Sequence, residues 1–489
     1  MNLAFPSPVD KLDNHLKKFQ LFDILLECSK YSLEILDTNK AISNYSIKLN
    51  GVDKAATVTQ WGIAFIAYRA ILSSNDFKKN KFSYHPFLIA HGIFTEIPEV
   101  LDTDTNVFCL FRMAQEQFPW QSSFFRHQVA RYYWIFSNSQ FKDDFVSLFG
   151  ISIEEYFFIG LAIYAIIRQN RFFSIRLATT NSTRLQGILT EDKIKLFLSL
   201  SSTDYWGIKG RSKENLSLPR YERFEFNPLI KYPLVKLDPR LSRGLVEYIA
   251  PSLPMLMDKI SKGIYWDLRD HHKEGKSLNF VHAFGDVFKN FIGEILKHYF
   301  PAETISDLDK DAAFSGSKKA DWMVTLPSCI LLFECKSTLI PQSLKQTFDP
   351  VILQNWFKDR NITSGVDQLL SSKEQVKHLK KPVYCFLVLM EDLFFAEDPE
   401  VKKLIHKDCT QFYVLRSAEL EMMEFWIKKY GIERIIQEKQ QIDAAWDRSQ
   451  PIELSQICQK IEEHTGRNTF LEAFTDDLFK LKPGTSAGE

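Results

Sequence analysis

Two short apolar segments near residue 330 limit what this chain can fold into more than any other feature. Residues 322–326 and 329–333 have the length and composition of β-strands, and only Pro327-Ser328 separates them. Because so short a break joins antiparallel strands, the pattern predicts a β-hairpin. Asp321, Glu334 and Lys336 lie at the ends of these apolar segments. Burial of a charge is costly unless another group compensates it, so these three residues need partners.

The second segment has the pattern of a central strand. Side chains alternate between the faces of a strand, so Glu334 and Lys336 point to one face and Cys335 to the other. The residues before them are apolar on both faces: Ile330 and Leu332 on one, Cys329, Leu331 and Phe333 on the other. This pattern is typical of a strand that is covered on both sides.

The hairpin predicts a metal site. Asp321 opens the first strand, and pairing would place it beside Glu334 near the end of the second. Two neighbouring carboxylates repel each other unless a hard cation lies between them, and Mg²⁺ suits oxygen ligands while keeping several waters. Such a cation lowers the pKa of a bound water and neutralises phosphate charge. Lys336 could orient that water or stabilise the transition state.

Asp321 followed by Glu334-Cys335-Lys336 resembles the signature of the PD-(D/E)xK, or restriction-endonuclease-like, nuclease superfamily. The resemblance covers roughly residues 280–415, and residues 284–292 match the first core helix of that family. It implies that Asp321, Glu334 and the main-chain carbonyl of Cys335 hold the metal, and that Asp321, Glu334 and Lys336 are catalytic. Ala320 stands where the family name has a proline.

One position departs from the pattern. The first core helix often carries a glutamate that completes the metal site, and this chain has Lys289 there. Glu294 or Asp286 could substitute for it. Gln368, in the next predicted helix, resembles a polar residue that some branches of the superfamily place near the site.

The resemblance implies a Mg²⁺-dependent nuclease that hydrolyses phosphodiester bonds of DNA, with Mn²⁺ able to replace Mg²⁺. An endonuclease is favoured over an exonuclease, and DNA over RNA. Restriction or anti-phage defence is a setting that the fold suggests by association only. The alternative is a catalytically inactive nuclease-like scaffold that binds nucleic acid or a protein, and Lys289 is the residue that favours it.

The chain as a whole is expected to be α+β. Residues 1–270 are predicted to form a mainly helical region that regulates the enzyme or recognises substrate or a protein partner. Residues 277–430 are predicted to form an α/β restriction-endonuclease-like domain whose central mixed sheet is flanked by helices. The polar stretch 269–276 has the composition of a linker between them. Residues 431–489 are expected to be a helical extension that ends in a disordered tail.

Charge and composition exclude several classes of protein. Lysine plus arginine and aspartate plus glutamate each number 61, so bulk charge does not favour a nucleic-acid partner, and any basic surface must be local. Seven scattered cysteines without CxxC pairs favour neither a disulfide framework nor a zinc site. The start of the chain lacks a signal-peptide pattern, and its longest apolar run, 156–167, is shorter than the roughly 20 residues of a membrane span. A cytoplasmic protein without membrane contact is expected.

Overall fold

The computed structural model of the chain describes most residues between 6 and 479. The described ranges are 6–38, 45–49, 52–98, 112–114, 116–117, 125–137, 139–180, 189–212, 222–238, 246–273, 278–311, 314, 318–341, 344–345, 349–445 and 452–479. The predicted tail at 482–489 lies outside these residues.

The described part of the N-terminal region is mainly helical, as its apolar periodicity predicts. Local caps set several helix starts: the hydroxyl of Ser152 accepts from the Glu155 amide while the Glu155 carboxylate accepts from the Ser152 amide. The helices are Pro8–Leu16, Leu21–Thr38, Gln60–Ser73, Tyr84–Phe94, Phe125–Phe136, Ser139–Phe149, Ile153–Asn170, Ile175–Thr180, Glu191–Ser201, Tyr205–Ser212, Leu253–Ile260 and Gly263–Lys273.

Two small sheets accompany these helices. Strands β1 (Tyr45–Leu49) and β2 (Val52–Ala56) form an antiparallel hairpin. Strands β3 (Ser202–Thr203), β4 (Leu234–Lys236) and β5 (Tyr248–Ile249) form a mixed sheet in that order. The sequence interpretation did not include these two sheets.

A five-stranded mixed sheet is the centre of the C-terminal region. Its strands are β6 (Ile305–Asp307), β7 (Trp322–Thr325), β8 (Ile330–Lys336), β9 (Val383–Leu389) and β10 (Tyr413–Arg416), and they lie in the order β10-β9-β8-β7-β6. The pairs β6–β7 and β7–β8 are antiparallel, whereas β8–β9 and β9–β10 are parallel. The helices of this region are Leu278–Tyr299, Pro350–Asp359, Ile362–Gln375, Pro399–Ile405, Ser417–Met422, Glu424–Tyr430, Ile432–Ala445, Leu454–Ile461 and Thr469–Phe479.

Helices cover both faces of this sheet. The face that carries Leu331 and Phe333 packs in one core with apolar residues of the helix Leu278–Tyr299. The face that carries Ile330 and Leu332 packs with Val366 and Leu369 of the helix Ile362–Gln375. The parallel pair β8–β9 requires a crossover, and the helices Pro350–Asp359 and Ile362–Gln375 supply it. The predicted α+β class, with a helical N-terminal region and a C-terminal sheet, is confirmed.

Several predicted elements have the expected positions. The hairpin pairs Trp322 with Phe333 and Thr325 with Ile330, as the Pro-Ser break predicts. The apolar run 383–389 predicts a strand, and β9 has those bounds. The helical pattern over 366–379 predicts a helix, which is Ile362–Gln375 followed by a 3₁₀ turn. The apolar run 156–167 lies within the helix Ile153–Asn170, where many of its side chains are buried.

The linker prediction is wrong for residues 269–273, which continue the helix Gly263–Lys273. Charged residues of this helix have partners outside it: Lys231 Nζ lies 2.7 Å from Asp270, and Lys259 Nζ, in the preceding helix, lies 2.6 Å from Asp267. Because these partners lie outside the segment, the polar composition of residues 269–273 by itself resembled that of a loop. Residues 274–277 lie outside the described residues, and the proposed domain boundaries stay predictions.

Among the described helices, no single one is long and apolar enough to cross a bilayer. One bent pair, Gln140–Phe149 with Ile153–Asn170, meets the test of length and composition, and its two helices meet at 65°.

A buried ion pair joins the N-terminal helices to the C-terminal region. Arg131 donates to the carboxylate of Glu421 through Nε at 2.5 Å and Nη2 at 2.9 Å, and both side chains are almost fully buried. Burial raises the pKa of Glu421 to about 7, although the charge of Arg131 opposes that shift. The pair is therefore a charged contact whose two members depend on each other.

We expect Arg131→Ala to lower the free energy of unfolding by about 3–5 kcal/mol, because it leaves a buried carboxylate without its cation. Denaturant unfolding near neutral pH measures this loss. The double variant Arg131→Met with Glu421→Leu should regain most of it. Lys195→Ala, which breaks an exposed pair with Glu191, is the control and should change little. Equal losses in the two single variants would contradict the prediction.

Candidate functional site

The hairpin brings Asp321 to the strand that carries Glu334 and Lys336. The amide of Asp321 donates to the carbonyl of Phe333 at 3.0 Å, which continues the β7–β8 pairing by one residue. The carboxylate Oδ2 then accepts from the amide of Cys335 at 2.8 Å. Burial raises the pKa of Asp321, while the Cys335 amide and the charges of Lys289 and Lys336 oppose that rise. Asp321 is thus fixed beside the end of β8.

Glu334 is the buried acid of the site, with 2% of its surface exposed. Its Oε1 accepts from Lys336 Nζ at 2.6 Å, whereas its Oε2 is buried without a hydrogen-bond partner among the described residues. Burial, followed by the neighbouring charge of Asp321, raises the pKa of Glu334 to about 8. An oxygen in this position has lost its water without gaining a donor, which is costly unless a cation or a proton is supplied.

Lys336 lies between Glu334 and the helix Ile362–Gln375. Its Nζ donates to Glu334 and lies 3.4 Å from Oε1 of Gln368, whose Nε2 donates to the carbonyl of Lys319 at 2.9 Å. Gly365 makes this approach possible, because a Cβ there would lie 2.6 Å from Cε of Lys336 and 3.1 Å from Cγ of Glu334. The sequence interpretation therefore placed Gln368 correctly near the lysine, but it did not notice Gly365.

The main chain at Cys335 faces the same edge as Asp321. Along a strand, the N–H and C=O of one residue point to the same neighbouring strand. The amide of Cys335 donates to Asp321, and the flanking residue Lys336 points the other way, where its carbonyl accepts from Met390. Strand β7 has ended at this level, so the Cys335 carbonyl points towards Asp321 rather than into a ladder. The Cys335 side chain lies on the opposite face, as alternation predicts.

A lysine takes the place that an acid would take in the resembled family. Lys289 Nζ lies 3.0 Å from Asp307, 3.6 Å from Oδ1 of Asp321, and within hydrogen-bonding distance of Asp309. Burial alone would lower the pKa of Lys289, but these carboxylates raise it. The indole Nε1 of Trp322 donates to the Lys289 carbonyl at 3.0 Å. The ammonium is therefore a permanent positive charge at the edge of the site.

The two acids considered as substitutes are not brought to the site. Glu294 forms an ion pair with Lys297 at 2.7 Å and has 42% of its side chain exposed, and Asp286 is also exposed. Among the described residues, no three histidine, cysteine or acidic side chains converge as metal ligands. The site thus offers two carboxylates and a main-chain carbonyl.

Sequence reasoning missed three further contributors. Asp307 and Asp309 hold Lys289, and they lie in and after β6, a three-residue edge strand within a polar stretch. Ser372 Oγ accepts from the Ala320 amide at 2.8 Å and so anchors the residue before Asp321. The sequence contained one signal of close packing at this site. Gly365 interrupts an otherwise helical pattern, and such a glycine often marks a close approach between two elements.

The donor set fits one hard divalent cation. The candidate ligand atoms are Glu334 Oε2, which has no hydrogen-bond partner among the described residues, and Asp321 Oδ1, which lies 3.6 Å from the Lys289 ammonium. The Cys335 carbonyl points to the same edge. Carboxylate and carbonyl oxygens are the ligands that Mg²⁺ prefers, and it keeps waters at its remaining positions.

No model of a known family, no curated protein and no solved structure matches this chain. The resemblance to the PD-(D/E)xK nucleases therefore depends on the motif residues alone. Their arrangement in the fold is an independent observation, and it is the basis on which a function can be proposed.

The raised pKa of Glu334 predicts a pH-dependent stability. A carboxyl whose pKa rises from 4.5 to about 8 on folding binds more protons in the folded chain, so it lowers the free energy of unfolding as pH rises between these values. Glu334→Gln removes that loss. We expect the variant to gain stability relative to wild type, on the order of a few kcal/mol, between pH about 5 and pH about 8.5.

Denaturant unfolding in the presence of a chelator, at three pH values across this window, measures the difference. Glu374→Gln is the matched control, because Glu374 pairs with Lys377 on the solvent side of the same domain. A difference between Glu334→Gln and wild type that stays constant with pH would show that Glu334 titrates normally.

Proposed function

We propose that the C-terminal domain is a Mg²⁺-dependent nuclease that hydrolyses phosphodiester bonds of DNA. The observation that carries the proposal is the buried carboxylate of Glu334, which has one oxygen on Lys336 and the other without a hydrogen-bond donor. Asp321 and the Cys335 carbonyl lie at the same strand end. A purely structural salt bridge would not leave a buried carboxylate oxygen unpaired beside a second acid.

Each side chain has a role that its contacts support. Glu334, Asp321 and the Cys335 carbonyl would hold Mg²⁺, and a bound Mg²⁺ neutralises phosphate charge and activates a water ligand. Lys336 would donate a hydrogen bond to the attacking water or to a phosphate oxygen, since an ammonium has three donors and Glu334 uses one. Gln368 would orient Lys336. Lys289 would hold Asp321 in place and limit the site to one cation.

The finer parts of the proposal come from the resemblance. They are DNA rather than RNA as substrate, an endonuclease rather than an exonuclease, Mn²⁺ as a substitute, and a cytoplasmic role in restriction or anti-phage defence. The helical N-terminal region would select the substrate or bind a protein partner.

A second candidate function is a nuclease-like scaffold that binds nucleic acid or a protein without cleavage. The ammonium of Lys289 favours it, because a cation 3.6 Å from Asp321 reduces the attraction of the site for Mg²⁺. The two candidates differ in whether the site binds Mg²⁺.

We expect the purified chain to cleave DNA with Mg²⁺ or Mn²⁺ and not with EDTA. Asp321→Ala and Lys336→Ala should each reduce the rate by about 100-fold or more, since each removes a charge placed at the reacting phosphate. Lys377→Ala, an exposed lysine of the same domain, is the matched control and should keep full activity. Labelled RNA in the same assay tests the choice of substrate.

Calorimetry separates the two candidate functions. A nuclease requires Mg²⁺ binding that Asp321→Ala or Glu334→Gln abolishes. Cleavage that persists in both Asp321→Ala and Lys336→Ala would refute the proposed site. Absence of Mg²⁺ binding, together with absence of cleavage, would favour the scaffold.

A second expected outcome concerns Gly365. Gly365→Ala places a methyl group against Lys336 and Glu334 and should reduce cleavage by about tenfold or more, because it displaces the lysine. The cost in stability should be about 1–3 kcal/mol. Gly210→Ala is the matched control, since a Cβ there meets nothing within 4 Å. Unchanged cleavage by Gly365→Ala would show that the position of Lys336 is unimportant.

A further inference from the structure

A cavity of about 460 Å³ lies between the N-terminal helices and the C-terminal sheet. Its volume is within the range of about 300–1,000 Å³ that is usual for small-molecule sites. Strands β8, β9 and β10 are parallel, and residues at or just after their carboxyl ends line one wall: Leu339, Met390 and Arg416. Ligands of α/β sheets commonly bind outside the carboxyl ends of parallel strands.

A second wall is aromatic. Trp61, Phe65 and Tyr68 line the cavity from the helix Gln60–Ser73, where their spacing of four and three residues places them on one face. Tyr132 and Phe394 also line it. Rings on this wall offer stacking surfaces to a flat apolar group.

A third wall carries positive charge. Lys262, Trp266 and Arg269 line the cavity at a spacing of four and three residues, at the start of and along the helix Gly263–Lys273. The guanidinium of Arg269 lies over the Trp266 ring at 5.1 Å, and among the described residues no carboxylate pairs with it. Lys262 Nζ has one ion pair, with Glu391 at 3.9 Å, which is too long for a hydrogen bond. Both cations therefore keep donors for a ligand.

Most carboxylates that line the cavity are already engaged. Each of four is paired with a lysine or arginine of the lining: Glu116 with Arg223 at 2.7 Å, Asp270 with Lys231 at 2.7 Å, Asp267 with Lys259 at 2.6 Å, and Glu391 with Lys345 at 2.7 Å. Glu391 also accepts from the Ile340 amide at 2.8 Å, and Asp258 accepts from Gln128 at 3.1 Å. These contacts engage five of the acids in the lining, whereas Lys262 and Arg269 have no hydrogen-bonded carboxylate among the described residues.

The surroundings of Lys262 favour its protonated, positively charged form. Burial alone would lower its pKa, but the carboxylates of Glu391 and Asp258 raise it above its usual value. The ammonium therefore stays positive near neutral pH. The Lys262 side chain is half-buried, with 22% of its surface exposed, and its ammonium has no carboxylate within hydrogen-bonding distance among the described residues, so an anionic ligand in the cavity would gain a charge-assisted contact.

We propose that this cavity binds a nucleotide, with its base against the aromatic wall and its phosphate on Lys262 and Arg269. The two walls require two chemical properties in one ligand: a flat ring system and a compact anion. Inorganic phosphate would leave the aromatic wall unfilled, and a neutral nucleoside would leave both cations without an anion. The proposal is independent of the nuclease site, since neither Glu334 nor Lys336 lines the cavity.

Isothermal titration calorimetry of the full-length chain with ATP and GTP in turn, each in the presence of EDTA, tests this site. At least one nucleotide should bind saturably with a Kd below about 1 mM, and adenosine and inorganic phosphate should each bind at least about tenfold more weakly. If adenosine bound as tightly as the nucleotide, the cations would have no role in binding. If inorganic phosphate bound as tightly as the nucleotide, the cavity would be an anion site that does not recognise the nucleotide base.

Variants assign the binding to this cavity. Lys262→Gln and Arg269→Gln each remove the charge while keeping a polar side chain and should each weaken nucleotide binding by about tenfold. Trp61→Leu, on the aromatic wall, should weaken the binding of adenosine and of the nucleotide alike. Lys236→Ala, an exposed lysine outside the cavity, should bind like wild type. Thermal unfolding of each ligand-free variant verifies folding. No saturable binding of either nucleotide to wild type, or unchanged affinity in both glutamine variants, would overturn the proposal.

Discussion

The site depends on one physical constraint: the carboxylate of Glu334 is buried at the end of a central strand and cannot be solvated by water. The contacts of the neighbouring residues follow from that constraint. Lys336 supplies a cation to one oxygen, and Gly365 lets the covering helix approach closely enough to enclose both side chains. Asp321 adds a second acid, which raises the pKa of Glu334 further. Because this arrangement places a second negative charge beside a buried acid, it favours the binding of a cation.

How much of the fold the sequence reveals depends on how local the causes are. Strand β9 was predicted with its bounds because its apolar residues and flanking signals are all within the segment. Strand β6 was missed because it has three half-buried residues and gains its order from pairing with β7. The helix through residues 269–273 was missed because Asp270 finds Lys231 39 positions away. A linear pattern does not contain such a partner.

The same distinction applies to the site. Glu334 and Lys336 share a face by strand alternation, and Asp321 reaches Cys335 by hairpin pairing, so both placements follow from local rules. The contacts of Lys289 with Asp307 and Asp309 are different, since they join a helix to the turn after an edge strand. The sequence showed only a base at the position where the resemblance leads one to expect an acid. The fold shows that the base has three carboxylates of its own, which accounts for a lysine in a buried position.

The carboxylate site and the cavity are built on the same strands, so their structures are not fully independent of each other. The Met390 amide donates to the Lys336 carbonyl at 3.0 Å, and Met390 also lines the cavity. Arg131 lines the cavity as well and is bound by Glu421 of the C-terminal region. The backbone that carries Lys336 is therefore hydrogen-bonded to a residue of the cavity wall. Neither Glu334 nor Lys336 lines the cavity, but the cavity and the carboxylate site are both built on the strands β8 and β9 of one sheet.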